Sequence, residues 1–183
     1  MNLILIGKHL HNETWEKNQL DIPLFERLGV ASNNLLIISQ GLVKKRTVVK
    51  KNNISLILFP KRKLGDYFFF IICTIFEVLV IQKKIRWNVL SASEPIGGGI
   101  STVIINWLRE IPFIAMVQGD ILDLPINHFS PLKRFILKYI TLFVAKRATI
   151  VRSVSKKIKK DLILNGIKDN KVLSYDNVQD IWN

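Results

Sequence analysis

Cysteine is almost missing from this chain. A single thiol, Cys73, stands among phenylalanines and isoleucines in 183 residues, which excludes a disulfide framework and a cysteine-rich metal site. A reducing, cytoplasmic compartment is therefore expected. Histidine is scarce as well: His9, His11 and His128 lack the spacing of a zinc-binding helix, and the i, i+2 pair reads as a solvated loop near a strand end. No metal and no tightly bound cofactor is expected. There is no P-loop either, because Gly97-Gly98-Gly99 is not followed by the lysine and hydroxyl that reach phosphate and magnesium. Nucleic acid is disfavoured as a partner, since zinc-finger spacing, an aromatic RNP-like strand and a helix-turn-helix pattern are all absent.

Long apolar runs are wanting too. The longest, Tyr67 to Ile81, falls short of a bilayer span and carries Glu77 at its heart. Met1 to Gly7 is too short for a signal-peptide core and lacks a basic start and a small-residue cleavage site, so it reads as a first buried strand. Acidic side chains are few. Fourteen Asp and Glu oppose 27 Lys and Arg, leaving a net charge of +13, and a polyanionic partner or surface is attractive on electrostatic grounds.

The residues that are present suit a compact core. The chain is 49% hydrophobic, and its length suggests one domain over residues 1–183. Leu35 to Ser39 and Ile54 to Phe59 read as strands ended by Gly41 and Pro60, and Phe113 to Val117, Ile150 to Val154 and Val172 to Tyr175 continue the set. Helical patterns alternate with them at Ile22 to Leu28, Tyr67 to Lys84, Ile100 to Arg109, Pro131 to Arg147 and Ser155 to Asn165. Such alternation predicts an α/β fold: a Rossmann-like open parallel sheet with helices on both faces.

The stretch from Trp87 to Asp120 carries the most information. Val89-Leu90 leads into turn chemistry over Ser91 to Gly99, a helical segment, and a second apolar run ending in Gln118-Gly119-Asp120. A parallel βαβ unit results, and in open sheets ligands bind at the carboxyl ends of the strands. Ser91 to Glu94 and Gln118 to Asp120 are therefore candidate site loops. The glycines Gly97, Gly98 and Gly99 have two readings: they let a strand turn tightly into a helix, or their backbone N–H groups face an anion or a sugar hydroxyl. Gln118, Gly119 and Asp120 end an apolar strand with polar groups that must be solvated, bound to a ligand, or used to cap the next segment of chain. Arg152 stands inside an apolar strand, where it is costly unless it faces the cleft or pairs with a carboxylate such as Glu94 or Asp120.

These segments resemble the amino-terminal domain of glycosyltransferase family 4. Glu94-Pro95 with Gly97-Gly98-Gly99 is similar to the family's acidic residue, proline and paired glycines after the fourth strand. Gln118-Gly119-Asp120 resembles its His-Gly-Asp turn after the fifth, with glutamine in place of histidine. Ala148 to Leu162 looks like its strand ending in serine before a helix, with Arg152 and Ser155 at matching positions and Thr149 where aspartate is usual. Lys171-Val172 and Asn177 to Asp180 resemble the crossing into a second domain. The glycine pair common after the first strand is not supplied by Gly7-Lys8-His9.

The resemblance implies the acceptor-side half of a two-domain GT-B enzyme that transfers a sugar from a nucleotide-sugar donor to a saccharide or lipid-linked acceptor. It makes Glu94, Gly97, Gly98, Gly99, Gln118, Gly119, Asp120, Arg152 and Ser155 candidate substrate contacts, with Arg152 meeting a phosphate or an acidic sugar. The family stabilises the departing diphosphate with positive groups and helix ends rather than a bound metal. It also implies a carboxyl-terminal nucleotide-sugar domain, absent from these 183 residues. Either the natural protein is longer, or the gene is truncated, or a separate chain supplies the rest, and the half-domain alone is expected to be inactive. A non-catalytic partner subunit or a polyanion-binding protein of the same fold is the alternative.

The basic residues fall in clusters at Lys44-Lys45-Arg46 with Lys50-Lys51, Lys61-Arg62-Lys63, Lys83-Lys84-Arg86, and Lys156-Lys157 with Lys159-Lys160. The run from Tyr67 to Ile81 lies between the second and third, so it reads either as a core helix or as a helix lying at an anionic membrane surface. Lys61, Arg62, Lys63, Lys83 and Lys84 are then the expected membrane contacts, on the inner face of the cell membrane. Pro131 to Arg147 is a second amphipathic candidate, with a core-packed helix as its default.

Overall fold

The computed structural model describes residues 1–12, 14–15, 22–118 and 130–174, and shows an eight-stranded sheet in the order β3-β4-β2-β1-β5-β6-β7-β8. The strands are β1 (Asn2–His11), β2 (Asn34–Gly41), β3 (Thr47–Lys51), β4 (Ile54–Pro60), β5 (Val89–Ala92), β6 (Phe113–Val117), β7 (Ile150–Ser153) and β8 (Val172–Ser174). All pairings are parallel except β3 with β4. The helices are α1 (Ile22–Val30), α2 (Asp66–Ile81), α3 (Ile100–Arg109), α4 (Pro131–Arg147) and α5 (Lys156–Leu164). The predicted α/β sheet is thus present, with one addition. Thr47–Lys51 forms an antiparallel edge strand inside a basic cluster, and its lysines are the kind of side chain that discourages edge-to-edge pairing.

Two apolar layers sandwich the sheet. Ile4, Ile6, Leu90, Phe113 and Val151 point into a core shared with Phe70 and Val78 of α2, Ile105 of α3, Val144 of α4 and Leu162 of α5. Leu3, Leu5, Leu35, Ile37 and Leu56 point the other way, against Phe25 of α1 and Trp15. Strand alternation sorts these sets, since successive side chains leave opposite faces. The first core is the larger, and truncating its fully buried Phe70 to alanine is worth about 3–5 kcal/mol.

The chain order makes β1 a switch point. From β1 it runs outward through β2 to β4, then returns by α2 to β5 on β1's other side. Loops after β1 and β5 leave in opposite directions there, which opens a crevice at the carboxyl ends of the strands. That crevice is sharpened by an irregularity. Ile6 pairs with Ile38 but Leu10 with Gln40, so β1 carries two extra residues against β2 in a bulge over Gly7 to His9.

Candidate functional site

A cavity of about 330 Å³ occupies the crevice, bounded by α1 on one side and the ends of β1, β2, β6 and β7 on the other. Its apolar walls come from Leu24, Phe25, Leu28 and Ile37, and its polar groups from His9, Ser39, Ser93, Gln118 and Arg152. An apolar pocket with a few convergent polar groups is the form small-molecule sites take.

The bulge in β1 builds the floor. Ser39, almost fully buried, places its hydroxyl 2.7 Å from the carbonyl oxygens of both Gly7 and His9 and so pins the extra residues. His9 is turned toward β5, where its Nε2 lies 2.9 Å from the Ser93 hydroxyl. Ser93 also lies 3.2 Å from the Ile6 carbonyl. If Ser93 donates to that carbonyl, His9 must donate from Nε2 and keeps Nδ1 as an acceptor; if it donates to His9, the tautomer is reversed. Either arrangement leaves a proton-carrying pair at the cavity. A Cβ at position 7 would overlap the Ser93 hydroxyl and push it out of its place beside His9. His11 lies further along the same side, buried against Phe25 with ring centroids 5.6 Å apart.

Glu94, Gln118, Arg152 and Ser155 all lie at the carboxyl edge of the parallel sheet, just beyond or at the ends of β5, β6 and β7. Their surroundings separate them. Gln118 and Arg152 line the cavity, and Arg152 pairs in register with Met116 of β6. Glu94 and the glycines face the opposite way. Pro95–Gly99 forms a single π-helical turn whose N-terminal N–H groups, on Ile96, Gly97 and Gly98, all donate to the Glu94 carboxylate. The turn is pressed onto β1 so closely that a Cβ on Gly98 would run into the Ile6 carbonyl, while Gly99 packs on Val144 of α4. The N–H groups of Ile96, Gly97 and Gly98 are thus satisfied by the chain's own carboxylate, an arrangement that suits the tight-turn reading. Ser155 caps α5, its hydroxyl accepting from the Ile158 N–H at 3.2 Å. Gly119, Asp120, His128 and the segment Asn177 to Asp180 lie outside the described residues.

A second carboxylate on this edge is also tied internally. Asp66 at the start of α2 accepts from Gln40 at 2.7 Å and from the Arg62 N–H at 2.8 Å, and pairs with Lys8 at 2.7 Å. Burial alone would raise this carboxyl, but these hydrogen bonds and the Lys8 charge outweigh it and hold the pKa below its ordinary 3.8. Among the described residues no group of three or more metal-ligating side chains is assembled.

Sequence reading missed His9 as a site residue and set it in a solvated loop. The available signal was positional: His9 comes just after the first buried run, and in doubly wound sheets the end of that strand abuts the crevice. The basic positions are dispersed. Lys61, Arg62 and Lys63 precede α2 at the sheet's carboxyl edge, whereas Lys83 and Lys84 lie past its far end, about 24 Å away for 16 helical residues. No described helix is long and apolar enough to cross a membrane.

No family model and no curated protein matches this sequence. Solved structures do match its fold. UDP-GlcNAc 2-epimerase from Methanocaldococcus jannaschii superposes with a TM-score of 0.59 at 14% identity, over 95% of this chain and 45% of that one. Anabaena HepE in complex with UDP-glucose gives 0.57 at 12% identity, over 94% of this chain and 43% of that one. Trehalose 6-phosphate synthase from Burkholderia multivorans gives 0.53 at 5% identity, over 88% and 41%. The chain thus spans less than half the length of these proteins, and the likeness shows its fold, a Rossmann-like α/β domain of the kind found in GT-B proteins.

Proposed function

We propose that the chain is the acceptor-side half of a family 4-like glycosyltransferase, moving a sugar from a nucleotide-sugar to a saccharide or lipid-linked hydroxyl. The observation that carries this reading is the cavity at the β1 switch point, where His9, Ser93, Gln118 and Arg152 converge. The described residues supply acceptor-side groups in this reading. The donor-binding half comes from a continuation of the chain or from a separate chain.

The polar groups divide the work by chemistry. The His9–Ser93 pair receives a sugar hydroxyl and can hold the proton that hydroxyl gives up. Gln118 orients neighbouring hydroxyls with one donor group and one acceptor group. Arg152, with its planar fork of N–H donors, faces a phosphate or an acidic sugar. Leu24, Phe25 and Leu28 exclude water along one wall, which strengthens each of these interactions.

Five neighbouring structures bear the name UDP-GlcNAc 2-epimerase, and they support a second reading in which the cavity serves nucleotide-sugar epimerisation. Product analysis separates the two. The purified chain, incubated with UDP-GlcNAc or UDP-glucose and a panel of saccharides, is expected to turn over nothing alone. Joined to its donor-binding half it should yield a glycoside, and Arg152→Ala should lower that rate by roughly a hundredfold or more. Turnover by the isolated chain contradicts the half-site account. A free epimerised nucleotide-sugar favours the second reading.

A further inference from the structure

α2 has two faces that do not match a simple core helix. Phe70, Thr74 and Val78 point inward and are completely buried. On the other side Leu64 and Phe68, Ile72, Phe76 and Val80 succeed each other at intervals of four and stay exposed, Phe68 at 71% and Phe76 at 69%. One exposed leucine needs no explanation, but a continuous apolar row of this length does.

The charge around the row has one sign. Between Leu42 and Trp87 there are eleven Lys and Arg and two acids, and both acids are already spoken for. Glu77 receives a bidentate pair from Arg46, at 2.7 and 2.6 Å, and Asp66 is held by Lys8. Lys44, Lys45 and Arg62 remain around a groove that runs between the β2–β3 connection and α2. Phe69, Ile72 and Phe76 line its α2 side, and the Arg62 guanidinium stands 4.3 Å over the Phe69 ring. Cations beside aromatic and branched carbons in one groove match the two halves of an anionic lipid, phosphate and acyl chain.

We propose that this face docks on an anionic bilayer, α2 lying in the interface plane and the groove taking a phospholipid phosphate between Lys44, Lys45 and Arg62. The assignment does not depend on which reaction the sheet edge serves. Phe68 and Phe76 enter the acyl boundary, and Lys61, Lys63, Lys83 and Lys84 meet headgroups beyond the two ends of the helix. Docked so, the amino-terminal end of α2 and the sheet's carboxyl edge lie beside the membrane.

Co-sedimentation of the full chain with phosphatidylcholine vesicles, with and without phosphatidylglycerol, tests this. The chain should pellet with the anionic vesicles alone, and rising salt should weaken binding without abolishing it, because inserted apolar groups are not screened. Exchanging Lys44, Lys45 and Arg62 for glutamate should weaken binding roughly a hundredfold or more. The Phe68→Ser, Phe76→Ser pair should bind at low salt and be released completely at high salt. Far-UV circular dichroism and melting verify the fold of each variant, and should the triple exchange not fold, Lys44→Glu with Lys45→Glu carries a tenfold expectation. Phe135→Ser with Tyr139→Ser on the exposed row of α4 should leave binding unchanged. Equal binding to both vesicles, loss of binding only in the α4 variant, or no vesicle binding alongside tight binding to RNA would overturn the proposal.

Discussion

Two parts of one sheet edge treat their polar groups in opposite ways. After β4 and β5 the carboxylates are consumed by the chain itself: Asp66 by Lys8, Gln40 and the Arg62 N–H, Glu94 by the N–H groups of its own glycine turn. After β1, β6 and β7 the polar side chains His9, Gln118 and Arg152 line an open cavity. The first arrangement braces the edge, and the second sets polar side chains on the wall of a cavity of about 330 Å³. A motif that catches the eye in sequence is therefore no guide to which of the two it belongs, since close packing on β1 by itself requires a glycine at position 98.

The sharpest break of this contrast is at Gly98. Replacing it with valine pushes a side chain into the Ile6 carbonyl, a backbone atom with nowhere to move, and should cost about 3 kcal/mol or prevent folding in chemical denaturation. Glu94→Ala comes next. It strands the N–H groups of the turn and should cost about 2 kcal/mol, with no need of any ligand to see the effect. Ser93→Ala, across the same loop but on the cavity side, should change stability by less than about 1 kcal/mol while altering ligand binding.

The smallest effect is a pH dependence. With its folded pKa held below 3.8, Asp66 contributes stability that is fully present above 3.8 and lost as pH falls through the lower folded value. Acid titration of the melting temperature should therefore show a steeper acid limb for the native chain than for Asp66→Asn. Coincident limbs would remove the Lys8–Asp66 brace from the account.

Much of the architecture was legible because apolar runs bounded by turn residues are direct consequences of burial. Ile54 to Phe59 ends at Pro60, and Phe113 to Val117 and Pro131 to Arg147 begin and end as the pattern predicts. Two features were not. β3 reads TVVKK, too short and too charged to display a period, and it exists because β4 offers it a partner. The β1 bulge is invisible since its extra residues break alternation, and it carries His9 from an apparent loop onto the cavity. Gln118 and Arg152 stand out in the sequence as polar groups at apolar strand ends, and both line the cavity, whereas His9 became interpretable only through its neighbour Ser93. Likewise the exposed row on α2 could not be told from a core face by composition alone, as both rows are apolar.

The most direct test of the central contrast is to track both regions in one titration. Glucose, N-acetylglucosamine and glucose 1-phosphate added to the isotope-labelled chain should shift the His9 ring, the Ser93 amide and the Met116 methyl, all at the cavity, and Arg152→Ala should weaken the response to glucose 1-phosphate most. The Gly97 and Gly98 amides, held by Glu94, should not move. Shifts concentrated at Gly97 and Gly98 with a silent cavity would contradict the account and return the ligand to the glycine turn.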